Sequence, residues 1–343
     1  MKNAKKWGLL FLALAILTVW AVISQSKSFS VSQFVRTLRG ASAGWTAAAA
    51  VSMLGFIVFE GMAILCILRD FGYVRSFRSG FLYSAADIYF SAITPSATGG
   101  QPASAYFMMR SGIPGAVVTI TVMANIVMYT VALLTVGIAG FAIRPEIFLQ
   151  FHLPGRILIA VGYLILCGLT IVFCLMIARP AIPERICDFF LRLGKKLHLV
   201  RHWEEKRNRM QRVMAEYRRC AGIMIGSRRV FLKVYLFNLL QRLSQITVTL
   251  FAWLAVGGSV SLAPDIWVTQ SFVTIGTYSA PIPGGMGVAD YLLIDGFRAF
   301  CDETTAVNLE LISRSISFYV CLMISAATVF VGMIFTARKR KTR

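Results

Sequence analysis

The sequence contains few charged residues and few histidines for its length. Only 15% of its 343 residues are charged, against about 25% in soluble domains. This shortage, with the high apolar content described below, excludes an ordinary soluble enzyme and a disordered chain. The three histidines, His152, His198 and His202, are too scattered to indicate a metal site.

Two short motifs are also missing. None of the seven cysteines forms a C-x-x-C pair, so nothing supports a zinc or redox centre, and we expect small buried or lipid-facing thiols. The ATP-binding pattern G-x-x-x-x-G-K-[ST] is not found, so any transport would use an ion gradient or equilibrate its substrate. We therefore expect no bound cofactor.

What the sequence does contain is apolar: 57% of the residues are hydrophobic, and the mean hydropathy is +0.70. A helix needs about 20 mostly apolar residues to cross a bilayer. Six segments meet this requirement and are the predicted full spans: 7–23, 45–68, 116–141, 157–178, 232–256 and 312–336. Two further apolar regions, near 80–110 and 266–300, are interrupted by proline and glycine.

The positive charge alternates with these spans. The 35 basic and 15 acidic residues give a net charge of +20, which by itself could suggest nucleic-acid binding. However, 179–233 alone holds fifteen Lys and Arg residues, both ends of the chain are basic, and 301–311 is acidic. The positive-inside rule therefore predicts a multi-pass cell-membrane protein with both termini and 179–233 in the cytoplasm, and no nucleic-acid partner.

This topology constrains the two interrupted regions. Residues 79 and 114 must both be cytoplasmic, and residues 260 and 305 both external, so each region crosses an even number of times. The simplest solution is two re-entrant helical hairpins that enter from opposite sides; two complete but short spans are the alternative. We predict an all-α integral membrane domain over 1–343, with halves 1–141 and 232–337 that each contain one hairpin.

The two hairpin tips share a short pattern. Each places proline before Gly-Gly, namely Gly99-Gly100 and Gly284-Gly285, and tyrosine six residues later, at Tyr106 and Tyr291. Similar tips on hairpins of opposite orientation predict an inverted-topology repeat. Proline breaks the helix, and glycine allows positive φ and close backbone approach. A half-helix that starts there presents free N–H groups, so we expect the four glycines to hold a phosphate.

Charged residues inside the predicted spans need a partner or a cavity, since each costs on the order of 2.5–3.5 kcal/mol at a helix centre. Glu60, Asp87 and Asp290, together with Gln101, are candidates to meet a cationic or hydroxylated headgroup, with Arg242 balancing their charge. Two polar stripes at helical spacing predict faces that point inward, around a polar cavity: Asn238, Gln241, Arg242, Gln245 and Thr249, and Thr121, Asn125 and Tyr129. The simpler alternative is hydrogen bonding between helices without transport. A second simple alternative holds for Asp295, Arg298 and Arg314, which could lie at the outer interface with their charges in water.

The basic segment 179–233 carries apolar residues at helical spacing: Ile186, Phe189, Phe190, Leu193 and Leu197. This pattern is typical of an amphipathic helix on an anionic leaflet, although ordinary topology-determining charge explains part of it.

The two tips also resemble known motifs. The runs 95–102 with Tyr106, and 281–288 with Asp290, are similar to those of the flippase-like family named for the transmembrane region of lysylphosphatidylglycerol synthase. The first run differs from the Gly-acid-Pro-x-Arg pattern of that family, since Gln101 replaces the acid and Ser104 the arginine. The resemblance covers nearly the whole chain and implies the same membrane fold.

The resemblance implies that the membrane region moves phospholipid, anionic or aminoacylated, and so lowers negative surface charge and sensitivity to cationic peptides. The residues expected to contact the lipid are Glu60, Asp87, Gly99, Gly100, Gln101, Tyr106, Arg242, Gly284, Gly285 and Asp290. Synthases of this kind also carry an aminoacyltransferase domain. The longest predicted soluble stretch here, about 50 residues, is too short for one, so we expect any transferase to be a separate partner. The alternatives are phosphatidylglycerol lysyltransferase, or its membrane subunit, and a transporter of small anions or ions.

Overall fold

The computed structural model describes residues 40–94, 97–196, 203–280, 282, 285 and 287–339. Within them every regular element is helical. The helices are α1 Ala43–Asp70, α2 Phe77–Ile93, α3 Gly100–Arg110, α4 Gly115–Ile143, α5 Pro145–Gln150, α6 Leu153–Ala178, α7 Ala181–Lys196, α8 Trp203–Gly226, α9 Arg228–Ala255, α10 Ala263–Gly276, α11 Val288–Phe297, α12 Glu303–Arg314 and α13 Cys321–Lys339. Short 3₁₀ turns lie at Val260–Leu262 and Thr277–Ser279.

Four helices in the described part of the chain are long and apolar enough to cross a membrane: α1, α4, α6 and the continuous helix Thr304–Ile334. The last joins α12 to α13 through the π-helical turn Ser315–Val320. It begins eight residues before the predicted span, so most of the acidic segment 301–311 is helical. The protein is therefore a membrane protein whose described part is all-helical, as predicted at this level.

Two of the predicted spans have a different outcome. The segment 232–256 lies in α9, which is 28 residues long. It is not among the four apolar helices because its polar stripe and basic start lower its hydropathy. The segment 7–23 lies outside the described residues.

Both interrupted regions fold as a pair of short helices that pack against each other. α2 and α3 are separated by 94–99, and α10 and α11 by 277–287. α2 also packs along α1, and α11 is followed directly by α12. The described structure thus contains two helical hairpins where the sequence predicted breaks.

The apolar core is divided into two main clusters along the long helices. One contains Ala63 to Leu68 of α1 with residues of α2, α3, α4 and α8. The other contains Ala49 to Ile57 of α1 with residues of α9, α10, α11 and α12. Glu60 lies between them on α1. On α9, Asn238 to Arg242 lie between Val234 of the first cluster and Val248 of the second.

Helix α6 lies at the edge of the bundle. Leu164 is 72% exposed and Ile171 58% exposed, as expected for side chains that face lipid. All seven cysteines are free: Cys220 and Cys321 are buried, whereas Cys167 and Cys174 are exposed on α6.

The basic segment forms α7 and α8. Phe189 and Phe190 of α7 are exposed, while Arg218 of α8 pairs with Glu184 of α7. Tyr217 of α8 donates a hydrogen bond to the Met176 carbonyl near the end of α6, at 2.9 Å. These contacts join α8 to α6 and leave the aromatic face of α7 uncovered.

Candidate functional site

Two buried carboxyl groups meet where α1 and α2 cross. Glu60 is 5% exposed and so is Asp87, and the two carboxyls are close enough for a side-chain hydrogen bond. Glu60 Oε2 accepts hydrogen bonds from Ser84 Oγ at 3.1 Å and from Gln241 Nε2 at 3.0 Å. Helices α1, α2 and α9 therefore each contribute a polar group to one point.

Asp87 connects this point to the first hairpin tip. Its Oδ1 accepts from Ser91 Oγ at 3.1 Å, and its Oδ2 accepts from Gln101 Nε2 at 2.5 Å. Gln101 lies in the first turn of α3, so the Asp87 carboxyl joins the two arms of the hairpin. We call Glu60, Ser84, Asp87, Gln101, Gln241 and Arg242 the polar waist.

The local sequence explains why α1 and α2 approach so closely. A Cβ at Gly61 would lie 2.8 Å from the carbonyl carbon and oxygen of Gly80, and a Cβ at Gly80 would lie 2.9 Å from the Gly61 carbonyl oxygen. The spacing Gly80, Ser84, Asp87, Ser91 keeps these four residues on one face of α2. The glycine contact thus presents that face to Glu60.

The first tip uses its glycines for space and not for left-handed backbone. Gly99 has φ −81°, and the positive φ in this turn belongs to Ala97, at 55°. A Cβ at Gly100 would lie 2.0 Å from Ser91 Oγ and 2.1 Å from Asp87 Oδ1. Gly100 is therefore required for the start of α3 to lie against Asp87, so of the two properties that glycine allows, this tip uses close backbone approach.

Arg242 occupies the middle of α9 and is 6% exposed. Its guanidinium carbon lies 4.9 Å from the centre of the Tyr129 ring and 5.6 Å from that of Phe56. Its Nη1 donates to Gln245 Oε1 at 2.8 Å, while its buried Nε has no hydrogen-bond partner. Glu60 and Asp87 interact with it electrostatically, but no ion pair within 4.0 Å in the described chain includes it.

The electrostatic cost of Arg242 is not fully offset by its neighbours. Burial of an ion costs several kcal/mol even after the protein relaxes. Each cation–π contact returns about 0.5–2 kcal/mol. The Tyr129 and Phe56 rings and the Gln245 amide therefore offset only part of the free energy that burial of the guanidinium costs. The more distant carboxyls of Glu60 and Asp87 reduce the remainder.

The predicted polar faces of α9 and α4 point inward. Asn238, Gln241 and Thr249 are at most 2% exposed, and Asn238 Nδ2 donates to Asn125 Oδ1 at 3.1 Å. The inward direction of these faces is confirmed, and the polar cavity around which they were expected to lie stays a prediction. The Asn pair also supplies the helix-to-helix hydrogen bonding of the simpler alternative.

Asp290 is not part of the polar waist. Its Oδ1 lies 2.9 Å from Arg314 Nε, and its Oδ2 accepts from the Gly287 backbone N–H at 3.0 Å, at the start of α11. Gly285 has φ 65°, so the second tip uses the positive φ that glycine allows. Gly284 lies outside the described residues. The predicted site residues therefore fall into two groups, one at each hairpin.

Two other predicted residues have local roles. The Tyr106 hydroxyl accepts from Arg110 Nε at 3.2 Å on α3, away from the waist carboxyls. Asp295, interpreted above as a candidate interfacial residue, is 4% exposed, accepts from the His152 backbone N–H at 3.0 Å and pairs with the His152 ring. It thereby caps the start of α6, because the first N–H groups of a helix lack internal partners.

Sequence reasoning missed Ser84 of the waist, which contacts Glu60, and identified Gln241 only as part of a stripe. It also missed Phe56, whose ring lies beside Arg242. The seven-residue offset from Gly80 to Asp87 was a usable signal for the α2 face. Nothing in the sequence paired Phe56 with Arg242, because the two residues are 186 positions apart.

Comparison with known proteins agrees with this architecture. The family model described as the lysylphosphatidylglycerol synthase TM region matches residues 7–325. No curated protein matches the chain significantly. The match spans both hairpins, the polar waist and the basic helices. The chain therefore belongs to the family of the lysylphosphatidylglycerol synthase transmembrane region.

Proposed function

We propose that this protein translocates phospholipid headgroups across the cell membrane. The observation that carries the proposal is the polar waist, which places two carboxyls and a guanidinium between two apolar core clusters of a membrane bundle. Glu60 and Arg242 both lie near the middle of 28-residue helices. Buried charges at such depth usually mark a substrate pathway.

The helix lengths support re-entrant hairpins over complete short spans. At 1.5 Å per residue, the 11-residue α3 is about 17 Å long and the 10-residue α11 about 15 Å. Both are about half of the ~30 Å hydrocarbon core. A hairpin with such an arm would return to its own side of the membrane, with its tip at the level of the waist. The inverted repeat, the six full spans and the cytoplasmic termini are part of this proposal.

The waist offers complementary chemistry to a headgroup that carries an amine or hydroxyls. Glu60 and Asp87 would accept hydrogen bonds from such groups, beside Gln101, which donates to Asp87. The Gly99-Gly100 turn allows close approach to Asp87, while Asp290 and the second tip would act at the opposite entrance.

The family also favours a link to aminoacylated phosphatidylglycerol, since its name refers to lysylphosphatidylglycerol synthase. We propose that a separate aminoacyltransferase supplies such a lipid to this chain. Outward movement of the lipid would lower negative surface charge and sensitivity to cationic peptides. A lysyltransferase activity in this chain is the second candidate, and lipid extracts from cells with and without its gene would reveal it as new aminoacylated lipid.

Reconstitution tests the translocation proposal. The protein would be placed in vesicles that contain headgroup-labelled phosphatidylglycerol or its lysyl form, and exposure of the headgroup to a membrane-impermeant quencher would be followed over time. We expect faster exposure than in protein-free vesicles, at least a tenfold loss with Glu60→Gln or Asp87→Asn, and none with Glu204→Gln, which alters an exposed carboxyl on α8.

Two results would contradict the proposal. If the labelled headgroup became exposed no faster with the wild-type protein than in protein-free vesicles, the protein would have no translocation activity. Uptake of a small anion without any movement of lipid would favour the solute transporter.

A further inference from the structure

Two residues of the polar waist have unfilled hydrogen-bonding capacity, since the buried Oε1 of Gln241 and the buried Nε of Arg242 have no partner. Of these two, Arg242 is the one that carries a charge. A guanidinium has five N–H donors and cannot be deprotonated in proteins. One nitrogen donates to Gln245, and the buried Nε has no partner. The described structure thus holds a permanent cation, 94% buried, with donors still free.

The two aromatic rings beside Arg242 attract a cation but accept no hydrogen bond from its N–H groups. The Tyr129 and Phe56 rings lie near the guanidinium carbon, at 4.9 and 5.6 Å. A ring face attracts the charge through its quadrupole and provides no lone pair for an in-plane N–H. The edge of the guanidinium therefore keeps the fork of donors that binds the two oxygens of an oxyanion.

The position of Arg242 limits what the oxyanion can be. It lies at the middle of α9, about 20 Å from either end of that helix at 1.5 Å per residue. A lipid headgroup that crosses the membrane must pass this depth, whereas the neighbouring carboxyls Glu60 and Asp87 repel a free anion that brings no cation with it.

We propose that Arg242 binds the phosphodiester of the transported lipid, with Phe56 and Tyr129 holding its guanidinium in place. This inference rests on the proposed function and makes it more specific. It assigns the phosphate to Arg242 of α9 and not to the glycine tips, where the sequence predicted it. Arg242 therefore has a role beyond balancing charge. A phosphate-free glycolipid is then a poor substrate.

The test measures ligand-induced stabilisation of the full chain in detergent. The ligands are short-chain phosphatidylglycerol, a short-chain galactosyl diacylglycerol without phosphate, and inorganic phosphate. We expect the unfolding temperature of the wild type to rise only with phosphatidylglycerol. Arg242→Gln abolishes the rise, and Arg242→Lys, which keeps the charge without the fork, weakens apparent affinity at least tenfold.

Arg110→Gln is the matched control, because Arg110 also stacks on a tyrosine but is exposed. It should retain the full rise. Without ligand, Arg242→Gln should be as stable as the wild type or more so, since it removes an incompletely paired buried charge. A purely structural Arg242 predicts the reverse, a lower unfolding temperature with the ligand response intact.

The remaining outcomes separate the two proposals. An equal response of wild type and Arg242→Gln to phosphatidylglycerol overturns this inference and leaves lipid translocation standing. Stabilisation by inorganic phosphate alone, lost in Arg242→Gln, supports an oxyanion site at Arg242 and contradicts a lipid as its ligand. No response of the wild type to any of the three overturns the inference, and vesicle assays then decide translocation separately.

Discussion

The contact between Gly61 and Gly80 sets how closely α1 and α2 approach, so Gly61→Ala is the sharpest test of the architecture. The added Cβ would lie 2.8 Å from two backbone atoms of Gly80 and 3.1 Å from the Phe81 backbone nitrogen. Backbone cannot rotate away as a side chain can, so the two helices must separate by several tenths of an ångström.

The magnitude follows from two opposing effects. Overpacking of a close contact costs about 1–3 kcal/mol, while replacement of a mid-helix glycine by alanine gains about 1 kcal/mol. Gly168→Ala, on the lipid-facing side of α6, is a matched control because nothing lies within 4 Å of its added Cβ. The stability difference between the two variants should therefore equal the overpacking cost, about 2 kcal/mol.

The assay compares unfolding of both variants in the same detergent, and lipid movement in vesicles. Gly61→Ala should unfold at a lower temperature than Gly168→Ala and should transport more slowly, because Glu60 moves away from Ser84 and Asp87. If the two variants were equally stable, the helices would not be in backbone contact at Gly61 and the reasoning would be refuted.

Three further predictions concern residues of α7, α8 and α12 outside the polar waist. Tyr217→Phe removes the hydrogen bond to Met176 and should lower the free energy of unfolding by about 1 kcal/mol; chemical denaturation would measure this, and an unchanged midpoint would contradict it. Burial raises the pKa of Tyr217 to about 12, so the hydroxyl stays a donor at all ordinary pH values. Asp302→Ala removes the cap of α12, and hydrogen bonds from the side chain and backbone of Thr305 hold the pKa of Asp302 below its usual value. The stabilisation that the ionised Asp302 carboxylate gives to α12 is therefore complete at neutral pH and is lost as the pH falls through the lowered pKa. In thermal unfolding, the difference in unfolding temperature between the wild type and Asp302→Ala should shrink below about pH 4. A difference that grows in acid would contradict this role of Asp302. We expect the uncovered face of α7 to lie on the membrane surface. Phe190→Ser on that face should then reduce the quenching of a label on α7 by lipids brominated near the headgroup. Unchanged quenching would place this face of α7 in water.

The sequence by itself determined the long apolar helices and the places where helices break. Long apolar runs can bury their backbone polar groups in a bilayer only as helices, so α1, α4, α6 and the last long helix follow from composition. The 3.6-residue period also predicted the buried polar face of α9. Proline and glycine located both breaks between short helices, because those residues interrupt helical hydrogen bonding wherever they occur.

Tertiary structure decided which polar groups meet. Periodicity identifies a face of one helix, but the partner of that face depends on how closely and at what height two helices cross. The Gly61–Gly80 contact sets that height for Glu60 and Asp87, and the packing of α9 against α1 and α4 places Arg242 beside Phe56 and Tyr129. Asp290 looked equivalent to Glu60 in sequence, yet the fold pairs it with Arg314, since contacts between residues far apart in the chain leave no local pattern.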